Sequence, residues 1–231
     1  MLMRRRKQAG KWMARCRWLV PLVLLAHSLQ SAQAQDGDDG ASARPDQATA
    51  QVILFERIRQ IPREQDAQVI DFIRQNIQSL SPYFVMEMSR RLFANDAEIA
   101  VHWMHVGYIR AHYDALRCED PTAIQGTRLL PEIAAEVVAY ARSEEAVYRT
   151  QGLRALQWPG LFESKLSPWW ICSFGQVALQ ADRQGPPENE SEWLRPKRVW
   201  PKIRAKLIAD FTTTLTELDR PVFGAPPARL D

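Results

Sequence analysis

The residues that could bind a metal ion lie on one stripe of a predicted helix. Glu98, His102 and His105 are separated by four and three positions, so in a helix their side chains share one surface. Imidazole and carboxylate groups at this spacing can converge on one divalent cation, such as the zinc ion of a hydrolase. His112 lies about 10 Å farther along the helix and is too distant to join them. A carboxylate from another helix would have to complete the site.

The same stripe also has a structural interpretation. Its spacing is neither the H-E-x-x-H of metalloproteases nor the Glu-x-x-His of di-iron bundles. Polar groups inside a buried helix must be hydrogen-bonded, and an imidazole–carboxylate pair would satisfy that requirement. The sequence also lacks the G-x-S-x-G nucleophile elbow of hydrolases. We therefore expect the stripe to be structural and predict no catalytic residue, which favours a binding protein over an enzyme.

A second candidate site is the basic segment, residues 192–206 (EWLRPKRVWPKIRAK). It contains six cationic residues and two tryptophans. Cationic groups beside exposed indoles suit an acidic protein, an anionic lipid surface or a cell-wall polymer. The predicted binding residues are Trp193, Arg195, Lys197, Arg198, Trp200 and Lys202. The alternative interpretation is structural: both tryptophans are buried anchors, and the charges form a solvated face. Arginine also packs on tryptophan in places that bind no partner.

The first 34 residues have the composition of a secretory signal peptide. Seven basic residues precede the apolar run 18–29, and the triplet A-Q-A follows it at residues 32–34. Twelve apolar residues are too few to span a bilayer of about 30 Å as a helix. We predict that residues 1–34 are cleaved, with Met13 as an alternative start and Gln35 as the first mature residue. The protein is then periplasmic or secreted.

Cleavage of this leader reverses the sign of the net charge. The whole chain carries 30 basic and 27 acidic residues, for a formal charge of +3. The leader contains seven of the basic residues and none of the acidic ones, so the mature chain has a charge of −4. The basic character of the precursor is therefore a feature of export, and it predicts no nucleic-acid partner.

Two cysteines, Cys118 and Cys172, remain once the leader and its Cys16 are removed. Disulfide bonds persist in oxidising compartments outside the cytosol, so we predict a bond between these two residues. In the chain-entropy treatment, a closed loop of about fifty residues corresponds to about 4 kcal/mol of stabilisation. The alternative is two free thiols, or one thiol that bridges to a partner.

Helical signals dominate the chain between residues 47 and 220. The stretch 95–118 is apolar on nearly every side of a helix, which is typical of a buried element. Further helices are predicted to begin at four prolines in first-turn positions: Pro62, Pro82, Pro131 and Pro201. No stretch alternates with a period of two. The sequence therefore predicts an all-α fold, a single helical bundle-like domain of six to eight helices around a buried central helix (about 95–118).

The flanks and the C-terminal third differ from this bundle in composition. Residues 35–46 are acidic and poor in apolar side chains, which predicts a disordered lead-in, and residues 221–231 are a predicted tail. Residues 152–200 contain five tryptophans and frequent Pro and Gly. Within them we predict a helix at 171–180 and expect the rest to wrap the bundle irregularly.

These observations predict an exported, soluble, helical binding protein, either an envelope adaptor or an inhibitor or immunity-type protein. Its partner would be another protein or an envelope component. No cofactor is predicted, and no transmembrane segment should remain after signal cleavage. The alternative function is a metal-dependent hydrolase that uses Glu98, His102 and His105 as ligands.

Overall fold

Residues 43–181 and 185–217 are described in the structure, a computed structural model. The predicted signal peptide, residues 35–42 of the predicted lead-in and the predicted tail lie outside these residues. Residues 43–46, which were predicted to be disordered, belong to the first helix. Ten α-helices occupy the described part of the chain, which contains no β-strand: α1 (Ala43–Arg59), α2 (Asp66–Asn76), α3 (Pro82–Leu92), α4 (Ala97–Leu116), α5 (Leu130–Ile133), α6 (Ala135–Ser143), α7 (Glu145–Leu156), α8 (Trp169–Cys172), α9 (Gln176–Gln180) and α10 (Trp200–Glu217). The all-α prediction is confirmed, but the predicted number of six to eight helices is too low.

Helix α4 is the centre of the fold, as the sequence predicts. Its first turn is capped by Asp96, whose carboxylate accepts a hydrogen bond from the Ile99 N–H at 2.9 Å. Most of its residues are buried. It packs against α3, α6, α7, α8 and α10, and against the 3₁₀ helix Pro121–Leu129. Because neighbours cover α4 on several sides, its apolar side chains lie on nearly every face.

A buried arginine ties the N-terminal helices together. The guanidinium of Arg91 in α3 is fully buried and donates to the Glu87 carboxylate at 2.7 Å. It also donates to Asp66 at the start of α2 and to the carbonyl oxygen of Ile58 in α1, at 2.5 and 2.6 Å. A buried charge is stable only when its hydrogen bonds are satisfied, and these partners come from three helices.

Pro62 precedes a 3₁₀ turn (Arg63–Gln65), so α2 begins at Asp66 rather than directly after the proline.

The helix predicted to begin at Pro131 is short, and two further helices, α6 and α7, follow it directly. The backbone leaves the α region at Ala134 (φ −121°, ψ 43°) and again at Glu144 (φ −112°, ψ 72°). A straight helix from residue 130 to residue 156 would be about 40 Å long at 1.5 Å per residue, longer than α4 itself. The two breaks allow α6 and α7 both to pack against α4.

The helix predicted at residues 171–180 is likewise divided, into α8 and α9. Residues from a distant part of the chain hold the start of α9. The Val177 N–H donates to Asp120 at 2.9 Å, and the Gln176 N–H donates to the Thr122 hydroxyl at 2.8 Å. These bonds satisfy first-turn N–H groups that a helix cannot pair internally, so a new helix begins there. Gly175 precedes it and packs so closely on Asp120 that an added Cβ would lie 2.5 Å from Oδ2.

Three links attach the C-terminal third to the end of α4. The Sγ atoms of Cys118 and Cys172 are 2.04 Å apart, which is disulfide distance, and this confirms the predicted pair. Beside them Cys118 and Leu194 form an antiparallel β-bridge, the one bridge within the described residues. Trp170 of α8 also donates its indole N–H to Asp114 of α4 at 2.8 Å. Among the described helices none is long and apolar enough to cross a membrane.

Candidate functional site

The Glu98, His102 and His105 stripe faces α7. Glu98 accepts a hydrogen bond from the Gln151 side chain at 3.1 Å. Nε2 of the buried His105 lies 3.0 Å from the carbonyl oxygen of Tyr148, so this nitrogen carries a proton and donates it. The imidazole of His105 is therefore bonded to a backbone carbonyl of α7 and not to the Glu98 carboxylate. Within residues 43–181 and 185–217, no cluster of three or more His, Cys, Asp or Glu side chains could hold a metal ion.

Burial determines the charge state of these histidines. It lowers the pKa of His105 to about 3, and the hydrogen bond to the Tyr148 carbonyl opposes this shift only in part. Burial also lowers the pKa of His102, with a further contribution from the nearby Arg154, while a hydrogen bond to the Gln151 backbone opposes the shift. His112 is buried, its pKa is lowered for the same reason, and its Nδ1 lies 2.8 Å from the Tyr108 carbonyl oxygen. All three imidazoles are held neutral near pH 7.

The two tryptophans of the basic segment are packed against the domain. Trp193 is buried, and its ring meets that of Trp169 edge to face with centroids 5.3 Å apart. Trp200 is half-buried and donates its indole N–H to the Arg195 carbonyl oxygen at 2.8 Å. Arg195 is also half-buried, and its Nε donates to the Cys118 carbonyl oxygen at 3.1 Å. These three residues dock the segment onto the end of α4.

The remaining predicted binding residues, Lys197, Arg198 and Lys202, are exposed. Lys197 makes an ion pair with Glu190 at 3.4 Å, in which both side chains are largely in solvent. Exposed pairs of this kind contribute about 0–1 kcal/mol. The structure therefore divides the predicted site into docking residues and a solvated cationic face.

An open groove with a volume of about 510 Å³ lies along this face. We call it the basic groove. It is lined by two cations, two aromatic rings and three apolar or small residues: Lys197, Arg204, Tyr113, Trp200, Pro201, Ala205 and Ile208. Among the described residues that line it, none is acidic. Arg204 also lies over the Phe162 ring, 4.6 Å from its centroid.

A buried cluster of charges lies behind the basic groove, at the end of α4. The Arg117 guanidinium packs between the rings of Tyr113 and Trp200, 4.6 and 4.7 Å from their centroids, and pairs with the buried Asp114. Arg110 is also buried, and its Nη1 has no hydrogen-bond partner among the described residues. Burial lowers the pKa of Arg110; Asp114 opposes that shift and Arg117 adds to it. Two guanidinium groups therefore share one buried carboxylate.

A second cleft, which we call the acidic cleft, has a volume of about 280 Å³. Three carboxylates, two indoles and the disulfide contribute to its lining: Glu119, Asp120, Glu192, Trp169, Trp193, Cys118 and Cys172. Pro121, Val177, Ala178 and Pro187 complete it. Among these described residues there is no Lys, Arg or His, so the cleft has the opposite charge to the basic groove.

One short backbone pairing contributes to both sites. The Glu119 N–H donates to the Trp193 carbonyl oxygen and the Arg195 N–H to the Arg117 carbonyl oxygen, both at 2.8 Å. Arg117 then packs on the rings of the basic groove, whereas Glu119 and Trp193 line the acidic cleft. The pairing therefore fixes the two oppositely charged sites beside each other.

Sequence reasoning did not identify the acidic cleft. In the sequence, Glu119 and Asp120 simply follow the predicted central helix. The predicted disulfide was the available clue, because joining Cys118 to Cys172 brings that acidic pair beside Trp169. The contribution of Glu192 and Trp193 depends on the bridge at Leu194, for which the sequence contains no local signal.

No family model, no curated protein and no solved structure matches this chain. In the described part of the chain, the basic groove and the acidic cleft each combine exposed charge, aromatic rings and an accessible volume.

Proposed function

We propose that this chain is an exported helical binding protein that recognises an acidic surface of a partner protein through the basic groove. The observation that supports this function best is the composition of the groove, in which two cations and two aromatic rings surround a volume of about 510 Å³. Aromatic residues and arginine are the residue types that dominate binding energy at protein interfaces. An inhibitor, an immunity-type protein or an envelope adaptor would use such a site. Export is proposed from the composition of residues 1–34.

The packing of the aromatic rings favours a protein partner over a lipid surface. A protein that lies on a membrane inserts exposed aromatic and aliphatic side chains below the headgroups. Here Tyr113 is buried and Trp200 is half-buried against Arg117, so neither ring projects from the surface. An acidic side chain of a partner could instead enter the groove and meet Lys197 and Arg204 beside an apolar wall.

The experiment compares two double variants of equal charge. Lys197→Glu/Arg204→Glu reverses the two groove cations, and Arg57→Glu/Arg128→Glu reverses two exposed cations that do not line it. Each protein is cross-linked in an envelope extract of its host, the partner is identified by mass spectrometry, and its affinity is then measured with purified components. We expect the groove variant to bind about tenfold more weakly, which is about 1.4 kcal/mol, and the control variant to bind normally.

A vesicle arm tests the competing class of partner. Vesicles of anionic phosphatidylglycerol are sedimented with each protein, with zwitterionic vesicles as the reference. If the wild type sediments with anionic vesicles, the groove variant does not, and no protein partner is captured, then the basic groove binds an anionic membrane surface and the proposal is wrong. Equal binding by the groove and control variants would show that the interaction lies elsewhere on the chain.

A further inference from the structure

We infer that the acidic cleft binds a small organic cation that carries a methylated ammonium group. This site is separate from the basic groove, and the inference does not depend on the proposed function. It rests on three features of the described residues: the charge of the lining, the two indole rings, and the way in which the walls are fixed.

The charge of the lining selects a cation. Glu119, Asp120 and Glu192 contribute carboxylates, and the described lining contains no basic side chain. Glu119 is exposed and makes no ion pair within the described part of the chain. Burial acts to raise the pKa of Asp120, but hydrogen bonds from Thr122 and from the Val177 N–H outweigh it and hold that pKa below its usual value. The Asp120 carboxylate is therefore ionised at neutral pH.

The two indoles select the kind of cation. Trp169 and Trp193 are both buried and line the cleft with a small part of their surface, and their rings meet edge to face at an angle of 80°. The π-face of tryptophan attracts a cation more strongly than any other aromatic side chain, and quaternary ammonium groups are recognised in this way. Carboxylates near an aromatic corner add long-range attraction without requiring a hydrogen bond from the ligand.

The apolar part of the lining argues against a metal ion and against a primary amine. Glu119, Asp120 and Glu192 line the cleft, but within the described residues they form no group that could hold a metal ion. Pro121, Val177 and Ala178 add apolar surface, and Val177 is well exposed. A primary ammonium must replace three hydrogen bonds to water when it is buried, and a divalent cation prefers six or more oxygen ligands. A methylated ammonium has fewer N–H groups or none, so its desolvation on entering such a cleft costs less. The volume of about 280 Å³ limits the ligand to a small molecule.

The walls of the cleft are fixed before any ligand binds. Cys118 is linked to Cys172 on one side and bridged to Leu194 on the other. Asp120 holds the start of α9 through the Val177 N–H at 2.9 Å. A site whose side chains are already ordered loses less entropy on binding, which increases affinity for a small ligand.

Choline is the probe for the test, and 3,3-dimethyl-1-butanol, which has the same shape without the charge, is its neutral control. Each is titrated into the full chain by calorimetry while tryptophan fluorescence is followed. We expect choline to bind with a dissociation constant of about 1 mM or tighter, with a change in fluorescence, and the neutral alcohol to bind at least about tenfold more weakly.

Variants then assign the binding to the cleft. Glu119→Gln/Glu192→Gln should weaken choline binding by about tenfold or more, because it removes two charges and keeps the shape. The matched control is Glu56→Gln/Glu132→Gln, which removes two exposed carboxylates outside the cleft and should leave binding unchanged. The groove variant Lys197→Glu/Arg204→Glu should bind choline at least as tightly as the wild type, because it adds negative charge beside the cleft. Failure of one proposal therefore does not imply failure of the other.

Three results would overturn the inference. Equal affinity for choline and the neutral alcohol would mean that the cleft is an apolar cavity without cation recognition. Absence of saturable choline binding in the folded wild-type chain would mean that the cleft is no cation site. Tighter binding of Nα-acetyl-lysine methylamide than of choline would assign the cleft to the amine of a basic peptide instead.

Discussion

The guanidinium carbon of Arg117 lies 4.7 Å from the centre of the Trp200 ring. Arg117 follows the last residue of α4, and Trp200 is the first residue of α10, so this contact joins the end of one helix to the start of the other. A cation over an indole face contributes about 0.5–1 kcal/mol at exposed sites and more when it is desolvated. One face of the indole that lines the basic groove is therefore covered by a side chain of the same domain.

Replacement of Trp200 should destabilise the fold. We expect Trp200→Ala to lower the free energy of unfolding by about 2–3 kcal/mol, because it removes half-buried aromatic surface and uncovers the buried Arg117. Lys202→Ala changes an exposed residue in the same helix and should cost less than about 0.5 kcal/mol. Urea unfolding of both variants measures the difference. Equal stability would mean that Trp200 is a surface residue available to a partner.

The cations of the basic segment should differ in their effect on stability. Arg195→Glu removes the hydrogen bond from Nε to the Cys118 carbonyl oxygen, and a bond from a charged donor contributes about 1.5–3 kcal/mol. Lys197→Glu/Arg198→Glu alters two exposed side chains and should change stability by less than about 1 kcal/mol. Thermal unfolding of each variant provides the comparison. A larger loss in the exposed pair would contradict the division into docking and solvated residues.

The parts of the fold that the sequence predicted well are those with local signals. The central helix has a capping carboxylate at Asp96 and an apolar surface on nearly every side, and both features are local to the helix itself. The disulfide was predictable because only two cysteines, Cys118 and Cys172, lie outside the predicted leader. By contrast, the break between α8 and α9 depends on Asp120 and Thr122, more than fifty residues earlier in the chain, and no local pattern identifies it.

The candidate sites were predicted less completely, for the same physical reason. Composition identified the cations of the basic groove, because charge is visible in the sequence. The burial of Trp193 and Trp200 depends on Trp169 and Arg117, which come from distant parts of the chain. The histidine stripe shows the same effect. Its side chains share one face of the helix, as predicted, but the partner of His105 is a backbone carbonyl of α7. Because a residue of any type has a backbone carbonyl, the sequence could not identify this partner.

Acid should destabilise the domain in part through His105. A histidine in an unfolded chain has a pKa of 6.5, whereas the pKa of His105 in the fold is about 3, so the unfolded state binds the extra proton between these values. The contribution of His105 to stability is fully present above about pH 6.5 and is lost at about 1.4 kcal/mol per pH unit as the pH falls towards 3. Urea unfolding from about pH 7 to about pH 5 should show a loss near 2 kcal/mol from this residue. In His105→Gln the loss of unfolding free energy that His105 contributes should disappear. An unchanged pH dependence in this variant would contradict a buried, neutral imidazole.

Reduction of the disulfide should loosen the C-terminal third before the rest of the domain. The bonded cysteines are 54 residues apart, and a loop of this length corresponds to about 4 kcal/mol of stabilisation before native strain is subtracted. Cys118→Ala/Cys172→Ala should lower the free energy of unfolding by up to that amount, a large share of the about 5–15 kcal/mol typical of a domain. Reduced wild-type protein should behave in the same way, which controls for the effect of the substitutions.

Hydrogen exchange can locate the loosened region. Trp170 would still donate to Asp114 at 2.8 Å after reduction, so α8 retains one attachment to α4. The segment at Leu194 is held by two backbone hydrogen bonds across its bridge to Cys118, but the Trp193 indole N–H adds no side-chain bond among the described residues. Exchange should therefore rise first in residues 190–195 and in α9, then in α8, while α2 and α3 stay protected. A uniform rise across all helices would mean that the domain opens as one unit, and two alkylatable thiols in the untreated protein would rule out the bond.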